Sequence, residues 1–147
     1  MKAQRSIHIS AAPGKIWPLL VEPDNIKKWC QPAIMILRTG EQRGGLGATF
    51  YFEEKAIGQL LKLNFVVTEW TENRRVTFQL TSGNLVKGYE QRYVLEPTKT
   101  GIHVTCFEDV IMPYGILGKF IGWFRAPVTE AHLRRNLAGL KLLGEAV

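Results

Sequence analysis

The sequence predicts an α+β domain in which a seven-stranded curved antiparallel sheet carries a long C-terminal helix over its concave face. Three observations lead there. Period-two alternation opens the chain and returns after residue 32 for six further strands. Two short helical segments, each punctuated by proline, separate the first strand from the rest. Beyond Met112-Pro113 the apolar spacing changes to 3.6 and stays there almost to Val147. The turns joining the later strands are short, which selects antiparallel hairpins over crossover connections.

The elements follow in order. Gln4 to Ser10 reads as a strand with Ile7 and Ile9 on one face. Ala12-Pro13 starts a helix, because proline is preset for the first helical position, and Ile16, Trp17, Leu20 and Val21 follow at helical spacing. Glu22 to Asn25 breaks that helix, and Asp24 is expected to cap a second one carrying Ile26 and Trp29. Strands are expected over Ala33–Thr39, Ala48–Glu53, Gln59–Trp70, Arg75–Thr81, Leu85–Leu95 and Ile102–Val110. Turn residues such as Ser82-Gly83-Asn84 and Glu96-Pro97 through Gly101 punctuate them. Pro127 is expected to kink or interrupt the last helix.

With 147 residues, 46% of them hydrophobic and 22% charged, the chain is expected to form one domain spanning 1–147. This composition excludes a disordered chain. Nineteen Lys and Arg against 13 Asp and Glu leave a net charge of +6. The basic residues fall in separate pairs (Lys27-Lys28, Arg74-Arg75, Arg134-Arg135), not in the stripe that nucleic acid requires. Cys30 and Cys106 are too few for a disulfide framework, so a cytoplasmic location is expected. The N-terminus alternates and so does not read as a secretory leader. The greasiest run, Ile111 to Phe124, is too short to span a bilayer.

No metal or cofactor motif is present. His8, His103 and His132 lack ligand spacing, Gly45-Leu46-Gly47 opens a strand and fails as a dinucleotide fingerprint, and no nucleophile elbow occurs. The inward faces offer something else. Phe50 and Phe52 share a face, as do Leu63 with Phe65, and Phe78 with its neighbours at i±2; Tyr89, Gln91 and Tyr93 share another. With Phe120 and Phe124 from the glycine-dotted segment Gly115, Gly118, Gly122, these form a candidate ligand-binding lining, apolar with a few polar tips. A fully packed core is the alternative. Glu53, Glu69, Glu108 and Asp109 are candidate acid–base groups, of which Glu108 and Asp109 point to opposite faces. His103 shares a face with Asp109.

Ile7 through Pro13, Lys15 to Leu20, Pro23-Asp24 through Trp29, Gly47-Ala48-Thr49, Val67 to Trp70 and Leu95-Glu96-Pro97 together resemble START-like helix-grip proteins of the SRPBCC superfamily. More narrowly they are similar to its polyketide cyclase/dehydrase and lipid-transport group. The resemblance spans almost the whole chain. It implies a helix-grip fold and a binder of lipids, polyketides or similar apolar molecules, without a universal catalytic motif.

Three readings of function follow. The first is a non-catalytic binder of an apolar small molecule between sheet and C-terminal helix. The second is a cyclase/dehydrase-type enzyme using a pocket carboxyl or tyrosine. The third is an adaptor docking a protein or membrane through Ile116 to Phe124. Neither a nucleic-acid partner nor stable membrane insertion is expected, and the chain is expected to be a monomer or homodimer.

Overall fold

The computed structural model describes residues 2–56, 58–113 and 115–146, and the side chains of all of these except 56 and 115–129. The order is β1 (Lys2–Ile9), α1 (Pro13–Val21), α2 (Pro23–Trp29), β2 (Ala33–Thr39), β3 (Thr49–Ala56), β4 (Gln59–Thr71), β5 (Arg75–Gly83), β6 (Gly88–Thr98), β7 (Gly101–Ile111) and α3 (Gly115–Glu145). The seven strands form one sheet in the order β1-β7-β6-β5-β4-β3-β2. All neighbours are antiparallel.

The chain therefore leaves β1 at one edge, crosses through α1 and α2 to the opposite edge at β2, and returns strand by strand. The sheet is bent along the way. Register shifts interrupt β4 between Asn64 and Phe65 and again between Val67 and Glu69, and such bulges bend and twist a strand. The rings of Phe50 on β3 and Phe78 on β5 lie 5.8 Å apart edge to face. In a flat sheet their strands stand about 10 Å apart. The concave face brings them together.

Burial follows the alternation. Ile102, Val104 and Cys106 of β7 are buried, as are Leu95 and Tyr93 of β6 and Leu63, Phe65 and Val67 of β4. This settles which side of β7 looks inward: the Val104/Cys106/Glu108 face, with His103, Phe107 and Asp109 behind it. Leu133, Leu137 and Leu140 of α3 complete the core together with Ile16, Leu20, Ile26 and Trp29 of the short helices. The Trp29 indole N–H donates to the Leu19 carbonyl at 2.7 Å, which ties α2 to α1.

Three local expectations are corrected. Asp24 does not cap α2: Glu22 is the N-cap residue, without a side-chain cap bond, and Asp24 sits inside the first turn. There its charge still favours the positive end of the helix. The sixth strand begins at Gly88, three residues later than expected, because Asn84 and Leu85 form a turn with Leu85 at φ 62°. Pro127 does not interrupt α3, which runs as one helix from Gly115 to Glu145.

Candidate functional site

The inner face of the sheet is apolar and aromatic over most of its area. Phe50, Phe52, Leu63, Phe65, Phe78 and Tyr93 are all buried there. Their rings contact one another edge to face: Phe52 with Phe65 at 5.2 Å, Phe65 with Tyr89 at 5.4 Å, and Tyr93 with Trp29 at 6.0 Å. Tyr89 and Gln91 lie on the same face and are half-buried. The structure thus gathers eight of the ten expected lining residues on one surface. The side chains of Phe120 and Phe124 lie outside the described residues.

Two carboxyl groups interrupt this surface. Glu108 of β7 stands opposite Gln91 of β6 in the sheet register. It accepts a hydrogen bond from the Gln91 side-chain amide at 3.2 Å and another from the Tyr89 hydroxyl. Burial raises its pKa, and these two donors partly offset the rise. Glu54 of β3 is the second. Burial, with the Glu108 charge added, lifts its carboxyl from the ordinary 4.5 to about 7. Four strand spacings separate β3 from β7, about 19 Å in a flat sheet. That the two charges interact is a further consequence of the curvature.

Other titratable groups share this face. Desolvation pushes the Tyr89 and Tyr93 hydroxyls well above the ordinary 10, with the Glu108 charge adding to the rise for both. Tyr93 and the Cys106 thiol are hydrogen-bonded to each other. Cys30, immediately after α2, is also raised by burial and by the Glu54 and Glu108 charges. The Asn136 amide of α3 reaches its sulfur at 3.9 Å. Among the described residues, no Lys or Arg side chain offsets the negative charge at either Glu54 or Glu108. The inward-facing cation of β1, Arg5, is instead turned to Glu130 of α3 at 3.3 Å, and its Nε is buried without a partner.

The remaining acid–base candidates fall elsewhere. Glu53 lies on the outer face and accepts a bond from the Tyr51 hydroxyl at 2.7 Å. Glu69 is placed outward, where it takes Thr77 at 2.9 Å and pairs with Arg75 and Arg92. Asp109 also faces outward and is six residues from His103 along one strand, about 20 Å, so those two do not meet. Asp109 helps to line a depression of about 500 Å³ with Lys2, Gln4, Glu90, Arg92 and Phe107, mainly on the outer side of β1, β7 and β6. Charged groups of both signs line it, Glu108 among them.

Glu54 escaped the sequence reading for a simple reason. The third strand was expected to stop at Glu53, whereas it runs to Ala56. Carrying the Phe50, Phe52 alternation one step further reaches Glu54. Among the described residues no group of His, Cys, Asp and Glu forms a metal-binding cluster.

A bent antiparallel sheet gripping one long helix, with two short helices inserted after the first strand, defines the helix-grip class. Residues 1–145 match the family described as "Polyketide cyclase / dehydrase and lipid transport", and the chain belongs to that family. Among curated proteins, none matches the sequence. Solved structures share the fold. A Thermus thermophilus protein, TTHA0849, superposes with a TM-score of 0.83 at 17% identity, over 97% of this chain and 96% of its own. A START superfamily protein from Mycobacterium smegmatis gives 0.75 at 18% identity over 94% of each chain. The di-domain ARO/CYC protein StfQ from the steffimycin biosynthetic pathway gives 0.79 at 14% identity, over 98% of this chain and 50% of its own.

Proposed function

We propose that the space between the concave face and α3 is an open cavity that binds an apolar small molecule, with the Phe50, Phe52, Phe65 and Phe78 rings around its body and Tyr89, Gln91, Glu54 and Glu108 at its polar end. The observation that carries this reading is the carboxyl pair. Both groups are enclosed by protein and share one apolar face, yet both keep some accessible surface. A close-packed interior does not hold two carboxyls without compensating charge, because the desolvation penalty is several kcal/mol per ion. A hollow filled by water or by a ligand does. The family's description and the biosynthetic context of StfQ support the same reading.

Burying a ligand there yields roughly 25 cal/mol per Å² of apolar surface, so a lipid-sized molecule binds without a charged anchor. Native mass spectrometry of freshly purified protein tests this, together with uptake of a neutral fluorescent naphthylamine. A lipid-sized adduct or saturable uptake is expected. A clean apo mass with no uptake overturns it.

A second reading, cyclase/dehydrase-type catalysis, is favoured by Glu54. A carboxyl with a pKa of about 7 is half protonated at neutrality and suits a proton donor or acceptor. In that reading Glu54 takes a proton from carbon alpha to a carbonyl and returns one to a departing hydroxyl, which leaves as water. Glu54→Gln is then expected to lower turnover of a poly-β-keto substrate by about 100-fold or more while its binding holds. Unchanged turnover overturns this reading and leaves the binder.

The adaptor reading rests on Ile116 to Phe124, whose side chains lie outside the described residues. No described helix is long and apolar enough to cross a membrane. Both cysteines are free, and we place the protein in the reducing cytoplasm, as a monomer or homodimer.

A further inference from the structure

Resting on that cavity reading, we propose that the occupant ends in a hydrogen-bond donor, best of all a basic amine, and that the Glu54–Glu108 end of the cavity rejects amphiphiles that end in a carboxylate. The donors nearest the carboxyls are already engaged, since the Tyr89 hydroxyl and the Gln91 amide both point at Glu108. Tyr93 and Cys106 satisfy each other. Glu54 receives no side-chain hydrogen bond among the described residues. An ionised carboxylate has about four lone-pair sites, so acceptor capacity remains at both acids, while the Tyr89 and Gln91 donors are directed to Glu108 alone.

Charge points the same way. The titratable groups on this surface from α2, β3, β6 and β7 are Cys30, Glu54, Tyr89, Tyr93, Cys106 and Glu108, and every one of them is neutral or negative. Arg5 of β1, the inward cation, is held by Glu130. A third carboxylate brought to Glu54 and Glu108 meets like charge in a poorly solvated site. An ammonium brought there relieves both.

The test is displacement of N-phenyl-1-naphthylamine from the full chain by dodecylamine, dodecan-1-ol and dodecanoate at about pH 8, above the Glu54 value of about 7. The expected order is amine, alcohol, carboxylate, with the amine at least about ten-fold tighter than the carboxylate. The overall charge of +6 attracts anions, so a preference for the amine reports the local site and not the whole molecule. In the E54Q/E108Q variant the amine and carboxylate should converge to within about two-fold, with the alcohol unchanged. Carboxylate binding as tight as amine in the parent assigns the polar end to Arg5 or another cation and overturns the proposal. An amine preference that survives in the double variant overturns it too. If neither the probe nor any of the three amphiphiles binds the parent, the cavity reading itself falls, and the proposal with it.

Discussion

The two ends of the sheet's inner face sit in opposite environments. At the C-terminal end of α3, Leu133, Leu137 and Leu140 meet Ile9, Ile16, Leu20, Ile102 and Val104, all of them buried. The backbones come so close that a side chain on Gly144 would run into Ile16, and one on Gly139 would lie 3.3 Å from the Trp29 carbonyl oxygen. Polar contacts seal the rim. Glu145 accepts from the Ser10 backbone N–H at 2.9 Å, Lys141 donates to the His8 carbonyl at 2.9 Å, and Lys15 donates to the Ala146 carbonyl. Toward the other end of the same strands, where β3, β6 and β7 carry Glu54, Gln91 and Glu108, the surface keeps titratable groups that a sealed core would exclude. One end of the fold is built for rigidity. The other retains groups that lower stability, the usual mark of a surface kept for function.

The comparison breaks most visibly under truncation at the sealed end. Leu140 is fully buried, and Leu140→Ala is expected to lower unfolding free energy by about 3 kcal/mol in urea titrations, through lost transfer energy and a residual cavity. A loss below about 1 kcal/mol would mean that the sealed end collapses freely and that the contrast is false.

At the polar end the sign reverses. The Glu54 carboxyl has a folded-state pKa of about 7 against an ordinary 4.5, so its charged form is disfavoured by folding. The resulting penalty is absent below pH 4.5, grows between the two values and is complete above about 7. Glu54→Gln removes the titration. It is expected to stabilise the protein at pH 8 by about 2 kcal/mol, discounted from the full shift because the group keeps some accessible surface, and to change little at pH 4. Equal effects at both pH values would show that the carboxyl is ordinarily solvated.

Much of this architecture was legible in the chain. The second strand occupies the expected Ala33–Thr39, because period-two alternation between turn residues needs only local information. The inward-facing Phe50 and Phe52, and Tyr89, Gln91 and Tyr93, followed from the same periodicity. What alternation does not carry is which of two faces looks inward, so Glu108 and Asp109 were separable but not assignable. Nor does it carry curvature. Glu54 and Glu108 are 54 residues apart in sequence and four strands apart in the sheet. Their interaction depends on the bend at the β4 bulges and on rings from alternate strands leaning together. The strand end at Ala56 was missed because Glu54-Lys55 reads as a polar stop when its apolar environment is not known.

The smallest effect sharpens the comparison furthest, because two terms of similar size oppose each other. Gly139→Ala gains about 1 kcal/mol of helix propensity. Against it, the new methyl group meets the Trp29 carbonyl oxygen at 3.3 Å and the Trp29 Cβ at 3.4 Å. The sign depends on whether Trp29 can withdraw by a few tenths of an ångström. It is held on two sides, by its indole hydrogen bond to Leu19 and by the edge-on ring of Tyr93. Repulsion is therefore expected to win, for a net loss of about 1 kcal/mol, with a shift in Trp fluorescence as α2 is pushed outward. A net gain would show instead that α2 slides on α3, and that the sealed end yields where the contacts predict that it holds.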